Sequence, residues 1–302
     1  MMIHDAAVKI IDAHVHLWNL SQSINSWVSK GNNPALQRNF TINDYIAEHP
    51  SCNGIVTIEA ADCESSLLEV KWLNQLLLDY QPNKLKHIAY IDMFQGNDEF
   101  AENLQLFQHY PFVCGFRQIM AYADQAAYSP CATDCTLDQL SMHNLFINLC
   151  SLARNNYIFN CQMYPNQLLR IVEIIRSSKV KCIIDHCGLP NGLKTKAHSE
   201  WLTMLQQYCE LASFKISGLD HTMLDGSFDQ ICAAMLEIIP LKQLHYGSNF
   251  PIVQSSPDKI LFNYLNSVDK ESIVQESTGQ EFAVRKAIDE IFYLNSKNFF
   301  NF

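Results

Sequence analysis

VKIIDAHVHLW, residues 8–18, opens on apolar and β-branched residues and closes on two histidines two positions apart. A short apolar run of this kind reads as a buried strand, and seven more follow along the chain. They are GIVTIEA (54–60), KHIAYIDM (86–93), VCGFRQI (113–119), YIFNCQMY (157–164), VKCIIDHC (180–187), SFKISGL (213–219) and LHYGSNF (244–250). Between them lie longer segments with helical periodicity. SSLLEVKWLNQLLLDY (65–80) sets Leu68, Trp72 and Leu76 along one stripe, NDEFAENLQLFQHY (97–110) opens on the good caps Asn97 and Asp98, and EFAVRKAIDEIFYLNSKNFF (281–300) makes a last helix. Alternating strands and helices build a parallel sheet, and eight such units close it. The expected fold is α/β, a (β/α)8 TIM barrel forming a single domain over residues 1–302. A doubly wound open sheet would need a glycine-rich phosphate loop after the first strand, and none is there. Residues 19–53 hold one short helix, INDYIAEH, in a stretch too long for a simple turn, so they are read as wall of the substrate pocket.

Composition narrows the function. Hydrophobic residues make up 48% of the 302 and charged residues 17%, which suits a packed globule. A formal charge of −10 with no run of Lys or Arg argues against nucleic acid. The start, MMIHDAAVKI, lacks the basic and apolar regions of a secretory signal, and no stretch reaches the ~18 apolar residues of a membrane span. The eleven cysteines are scattered, with no CxxC, and Cys131 and Cys135 are the nearest pair. Cys52, Cys114, Cys150, Cys161 and Cys182 read as small hydrophobes in a reducing cytoplasm. What remains is a cytoplasmic protein with a small-molecule substrate and no nucleic-acid or membrane partner, compatible with homo-oligomeric assembly.

The strand ends carry the chemistry. Side chains alternate faces along a strand, so His14 and His16 point the same way and can hold a metal or polarise a carbonyl. For an arbitrary HxH, one buried and one exposed histidine is the commoner outcome; a place at the end of the first barrel strand, after Asp12, reverses those odds. IDHCGLP (184–190) supplies His186 at another strand end, and the adjacent Asp185 is expected to face away from the interior. Arg117 ends the fourth strand, where it either clamps a substrate oxyanion or pairs with an acid such as Glu59. Gln162 and Tyr164 share a face at the end of strand five and, with Gln167, suit a polar ligand. Lys215 and Ser217 share a face on strand seven, the lysine being paired or functional, and Asp220 and His221 follow in the loop.

Taken in order, IDAHVHLW, Trp27, EAADCESSLLEVKWLNQL, GFRQI, CQMYPNQL, DHCGLP, KISGL and YGSNFP resemble the landmarks of the amidohydrolase superfamily. The resemblance is closer to its branch of fuconolactonase, sulfomuconolactonase and pyrone-dicarboxylate lactonase. It implies hydrolysis of a lactone or related cyclic ester of a small sugar-acid or carboxylated compound. His14, His16 and His186 would polarise the carbonyl, directly or through one divalent metal such as zinc, and Arg117 would hold the substrate carboxylate. A binuclear centre would need a bridging lysine where this chain has Arg117. Where most of the superfamily has an aspartate at the end of strand eight, this chain has Asn249, a neutral amide that orients water without accepting its proton. Glu59 and Asp220 are the candidate replacement acids. Two alternatives follow: a barrel that binds a small ligand without turning it over, and a related decarboxylase, a class that normally keeps the aspartate.

Overall fold

The structure is a computed structural model describing residues 8–79, 84–123, 130–190, 196–218, 228–253 and 280–302. Eight strands run in parallel in the order β1 to β8: Ile10–Val15, Cys52–Ile58, Leu85–Tyr90, Val113–Ile119, Ile158–Gln162, Lys181–Ile184, Ala212–Ile216 and Leu244–Tyr246. Each lies within or against one of the apolar runs. The seam between the last strand and the first is bridged just beyond their ends, where Asn249 N–H donates to the His14 carbonyl (2.9 Å) and His16 N–H to the Phe250 carbonyl (2.7 Å). The expected (β/α)8 barrel is therefore the fold. Among the described residues no helix is long and apolar enough to cross a membrane, and none of the eleven cysteines forms a disulfide.

The helices between the strands are α3 (Ser66–Asp79), α4 (Asn97–Phe107), α5 (Gln139–Arg154), α6 (Pro165–Ser178), α7 (Lys196–Tyr208) and α8 (Phe228–Ile238), with α9 (Gln280–Asp289) and α10 (Asn295–Phe300) after β8. The stripe on α3 differs from the expected one. Val70, Leu73 and Leu77 face the core with Trp72 beside them, while Leu68 is 52% exposed. Helix α4 is capped by Gly96, which puts Asp98 and Glu99 in its first turn, where carboxylates favour the helix dipole. The segment 19–53 forms two short helices, α1 (Ser26–Lys30) and α2 (Ile42–Glu48). Asp62 accepts the Ser26 N–H (2.9 Å), and the Trp27 indole donates to the Ala60 carbonyl (2.5 Å), so this excursion is tied to the end of β2.

Inside the barrel, the side chains change character from floor to mouth. Ala13, Val56, Ile58, Ile88, Ile158 and Ile183 form an apolar cluster closed from below by Phe300 of α10. Phe302 lies against Gly54, where a Cβ would sit 2.9 Å from its ring. Above the cluster, the period of two carries each strand into polar residues: Ile158, Asn160 and Gln162 on β5, and Ile183 then Asp185 on β6. Two histidines, His87 on β3 and His245 on β8, are fully buried outside the site. His87 Nδ1 bonds the Thr57 hydroxyl (3.0 Å) and His245 Nδ1 the Ser296 hydroxyl (3.1 Å). Burial holds both near pKa 3, so they stay neutral in the folded chain.

Two stability measurements follow. Phe300→Ala empties the barrel floor and should cost about 3–5 kcal/mol in urea unfolding. As the pH falls from about 6.5 toward 3, the unfolded chain protonates His87 and His245 while the folded chain does not. Each should then remove about 1.4 kcal/mol of stability per pH unit, visible by comparing urea midpoints at pH 7 and 5.5.

Candidate active site

A cavity of about 740 Å³ opens at the C-terminal ends of the strands, with His16, Glu59, Arg117, Gln162, His186 and Asn249 among its lining residues. Ser26, Trp27 and Leu36 also line it, so the long segment after β1 does form pocket wall. This is the face on which barrel enzymes carry their chemistry.

The two histidines of β1 meet here because of a bulge. Asp12 pairs with Ile55 and Val15 with Thr57, so three steps on β1 answer two on β2. Ala13 joins the apolar interior, and His14 and His16 turn toward each other with their Nε2 atoms 3.1 Å apart. His16 Nδ1 donates to the Ile58 carbonyl (3.1 Å), which leaves its Nε2 as an acceptor. His14 Nδ1 lies 3.3 Å from Asp185 Oδ1 and 3.5 Å from Lys215 Nζ. It can donate to the carboxylate or accept from the ammonium, and the choice sets what its Nε2 offers. Burial lowers both imidazoles, His16 to about 3, so neither carries charge at neutral pH. Asp12 braces the pair from behind: Oδ1 accepts from the His14 and Ser248 N–H groups (3.0 and 2.9 Å), Oδ2 from the Tyr45 hydroxyl (2.9 Å).

Asp185 differs from expectation: it faces inward, into the centre of the site. It follows Ile183 on the same face, and alternation stops at His186, which adopts a left-handed φ of 52° in a short 3-10 turn. Both side chains therefore enter the barrel. His186 Nδ1 bonds the Ser217 hydroxyl (2.9 Å), and its ring centre is 4.7 Å from that of His14. Burial brings its pKa down to about 4. Gly218 makes room for this ring, since a Cβ there would stand 2.4 Å from His186 Nδ1.

Four buried charges balance one another. Asp185 takes Lys215 Nζ at 2.9 Å and Arg117 Nη1 at 3.0 Å. Lys215, fully buried, also donates to the Asn160 amide oxygen, so the lysine is paired. Arg117 Nε donates to Glu59 Oε1 (2.7 Å), Nη1 to Gln162 Oε1 (3.0 Å) as well as to Asp185, and Nη2 to the Glu59 carbonyl (3.3 Å). Of the two readings of Arg117, pairing with Glu59 is thus present in the folded chain. Lys215 and His14 hold the Asp185 carboxyl well below the ordinary range against the cost of burial. Glu59 is raised by burial, with Arg117 pulling against the shift. Glu69 of α3, which sequence reasoning missed, is pushed up to about 8 by burial and by Glu59, and accepts the Ala60 N–H (2.8 Å).

Other expected site residues lie elsewhere. The Gln167 amide is used within the protein, donating to the Met120 carbonyl and Asp134 (both 2.9 Å) and accepting from Tyr122 and Tyr164 N–H groups (3.0 and 3.2 Å). Tyr164 packs with Ala121 and Leu189 beside the cavity. Asn249 lines the cavity from a left-handed backbone (φ 57°), a conformation Asn tolerates well. Asp220 and His221 lie outside the described residues.

Donor atoms of His14, Asp185 and His186 fall within 4.8 Å of one another. The Asp185 carboxylate, however, already answers two cations, so the Nε2 pair of His14 and His16 is the better seat for a metal. Their 3.1 Å separation is close to the roughly 3.3 Å between two nitrogens on one tetrahedral zinc.

Residues 11–302 match the profile of the amidohydrolase family Amidohydro_2, and the chain belongs to that family. An uncharacterised protein of Sinorhizobium fredii, y4mH, is 24% identical over 276 residues, covering 85% of this chain and 88% of the other. Among solved structures, an amidohydrolase from Burkholderia multivorans with bound zinc superposes with a TM-score of 0.71 at 17% identity, covering 97% of this chain and 99% of that one. A probable 2-pyrone-4,6-dicarboxylic acid hydrolase from Acinetobacter baumannii, with citric acid bound, gives 0.64 at 16% identity and coverages of 97% and 99%.

The charge balance can be tested directly. Asp185→Asn leaves Lys215 and Arg117 buried against Glu59 alone and should cost about 3–5 kcal/mol in urea unfolding. Adding Lys215→Met restores neutrality, so the double variant should be less destabilised than the sum of the singles.

Proposed function

We propose that the protein is a hydrolase that opens a lactone or related cyclic ester, with water attacking a carbonyl polarised at the strand-end histidines. The observation that carries this reading is the His14–His16 pair, Nε2 to Nε2 at 3.1 Å, beneath a cavity whose inner wall holds the Glu59–Arg117 ion pair.

His14 and His16 would hold one divalent metal, zinc in the first instance, with His186 as the third donor. When bound, that ion supplies Lewis acidity to the substrate carbonyl. The remaining work falls to the chain. Asp185 orients His14 through Nδ1, and the Ile58 carbonyl does the same for His16, so both rings present Nε2. Asn249 faces the cavity and orients water through its amide. Glu59 takes the proton from that water and passes it to the ring oxygen as the acyl C–O bond breaks: it lines the cavity, and burial raises its affinity for a proton. As Glu59 is neutralised, Arg117 loses a counter-charge, and its attraction turns to the oxyanion forming beside it. Asp185 is unsuited to the base role because two cations hold its carboxyl well below the ordinary range.

The first experiment combines metal analysis of the purified protein with hydrolysis of a panel of δ-lactones before and after chelation. Turnover lost on chelation and restored by zinc is the expected result. Turnover that survives chelation would place the polarisation on the histidines and Arg117 alone. Glu59→Gln should lower kcat by roughly 10²–10⁴, and His186→Ala should abolish turnover. Asn249→Asp, which fits the same backbone, should leave the pathway intact because Glu59 already serves as base. Lactone binding without turnover would sink the hydrolase reading in favour of a binding protein, and release of carbon dioxide from carboxylated aromatics would replace it with decarboxylation.

A further inference from the structure

We infer that the ester this site accepts is an uncharged lactone carrying an apolar alkyl or aryl body, and that carboxylated and polyhydroxylated lactones are discriminated against. The inference rests on the lactonase reading and names the substrate class for that site.

Three observations carry it. The first is the state of Arg117. A substrate carboxylate would find Nε held by Glu59 at 2.7 Å, Nη1 held by Asp185 and Gln162 at 3.0 Å, and Nη2 turned to the Glu59 carbonyl at 3.3 Å. A two-point grip on the guanidinium would take Nε or Nη1 from a buried carboxylate, so the arginine is poorly disposed to recognise an anion. Among the described residues that line the cavity, Arg117 is the single Lys or Arg, whereas Asp62 and Glu64 add negative charge to the wall.

Second, several polar groups among the described lining residues are already engaged within the protein. Gln118 accepts the Met93 N–H (2.7 Å), Gln162 accepts from Arg117 (3.0 Å), Asp62 accepts from Ser26, and the Trp27 indole N–H goes to the Ala60 carbonyl. A ring bearing several hydroxyls would lose its water and meet few groups ready to replace it.

Third, much of the described wall is apolar. Trp27, Leu36, Ala61, Ile119, Pro130 and Ile252 line the cavity, and the Trp27 ring, 42% exposed with its N–H used, offers a flat face. Specific pockets place a few polar groups at the reacting centre and apolar surface around the body of the ligand. Here the ester group would sit over His16, Asn249 and Glu59, and its substituent against Trp27 and Ile119.

The test separates recognition from turnover by using δ-lactams, which share the ring and whose amide hydrolyses far more slowly than the ester. Calorimetric Kd values would be measured for 6-alkyl, 6-carboxy and trihydroxy δ-lactams. The alkyl lactam should bind at least tenfold more tightly than either of the others. Glu59→Gln, nearly isosteric and checked for folding by circular dichroism, should tighten the carboxy lactam and narrow its gap to about threefold. Trp27→Ala should weaken the alkyl lactam about tenfold and leave the carboxy lactam little changed. Equal or tighter binding of the carboxy or trihydroxy lactam to the unaltered protein would overturn the inference, as would no measurable binding of any of them. Should the lactams rank as expected while matched lactones are not hydrolysed, the hydrolase reading fails and the ligand class stands.

Discussion

A carboxylate placed between two cations in the middle of a barrel constrains everything around it. Asp185 has no exposed surface, and neither has Lys215; Arg117 is nearly as enclosed. Removing such groups from water is costly, and the cost is recovered only when each charge meets an opposite one at hydrogen-bond distance. Glu59 completes the set. The same contacts that satisfy electrostatics also fix geometry, because Asp185 reaches His14, Arg117 reaches Gln162 and Glu59, and Lys215 reaches Asn160. Strands two, four, five, six and seven, together with the end of the first, are thereby tied through side chains as well as through the sheet ladder. A site built this way is held rigid before any ligand arrives, which is what preorganised electrostatics requires.

The fold was legible because its signals repeat. Eight apolar runs separated by helical segments admit few arrangements, and each strand falls within or against its run. The end of β1 was legible for a different reason: alternation predicts that His14 and His16 share a face, and their Nε2 atoms meet. The same rule held from Ile183 to Asp185 and broke at His186. It assumes extended backbone, and His186 leaves the extended region, so adjacent residues both turn inward. Nothing in IDHCGLP marks a positive φ at a histidine, although the glycine of KISGL leaves the space that the ring fills. Leu68 misled by a related route, since leucine at helical spacing fits a core stripe while the turn that sets the phase of α3 lies outside the stripe.

Polar residues at strand ends were harder still. Gln162, Tyr164 and Gln167 are all types that bind ligands, and sequence cannot say whether their partners are substrate or protein. For Gln167 all four bonds go to the protein; for Gln162 the partner seen is Arg117. Arg117 left two readings open for the same reason, and the structure shows the pairing with Glu59. Asn249 stands apart, because its identity carried the argument from the start: an amide in a position where an acid was expected moves the search for a base to other strand ends, among them that of β2 with Glu59.

The plug beneath the barrel bears on how the chain reaches this state. Phe300 fills the floor between Ala13 and Ile183, and Phe302 lies against Gly54. Residues separated by well over two hundred positions must therefore meet before the interior is dry. On a ribosome, strands one to seven emerge with their inner faces wet and Ile58, Ile88 and Ile158 lacking a lid below. Such a topology favours late, cooperative closure over stepwise assembly and leaves a half-made barrel with apolar surface exposed.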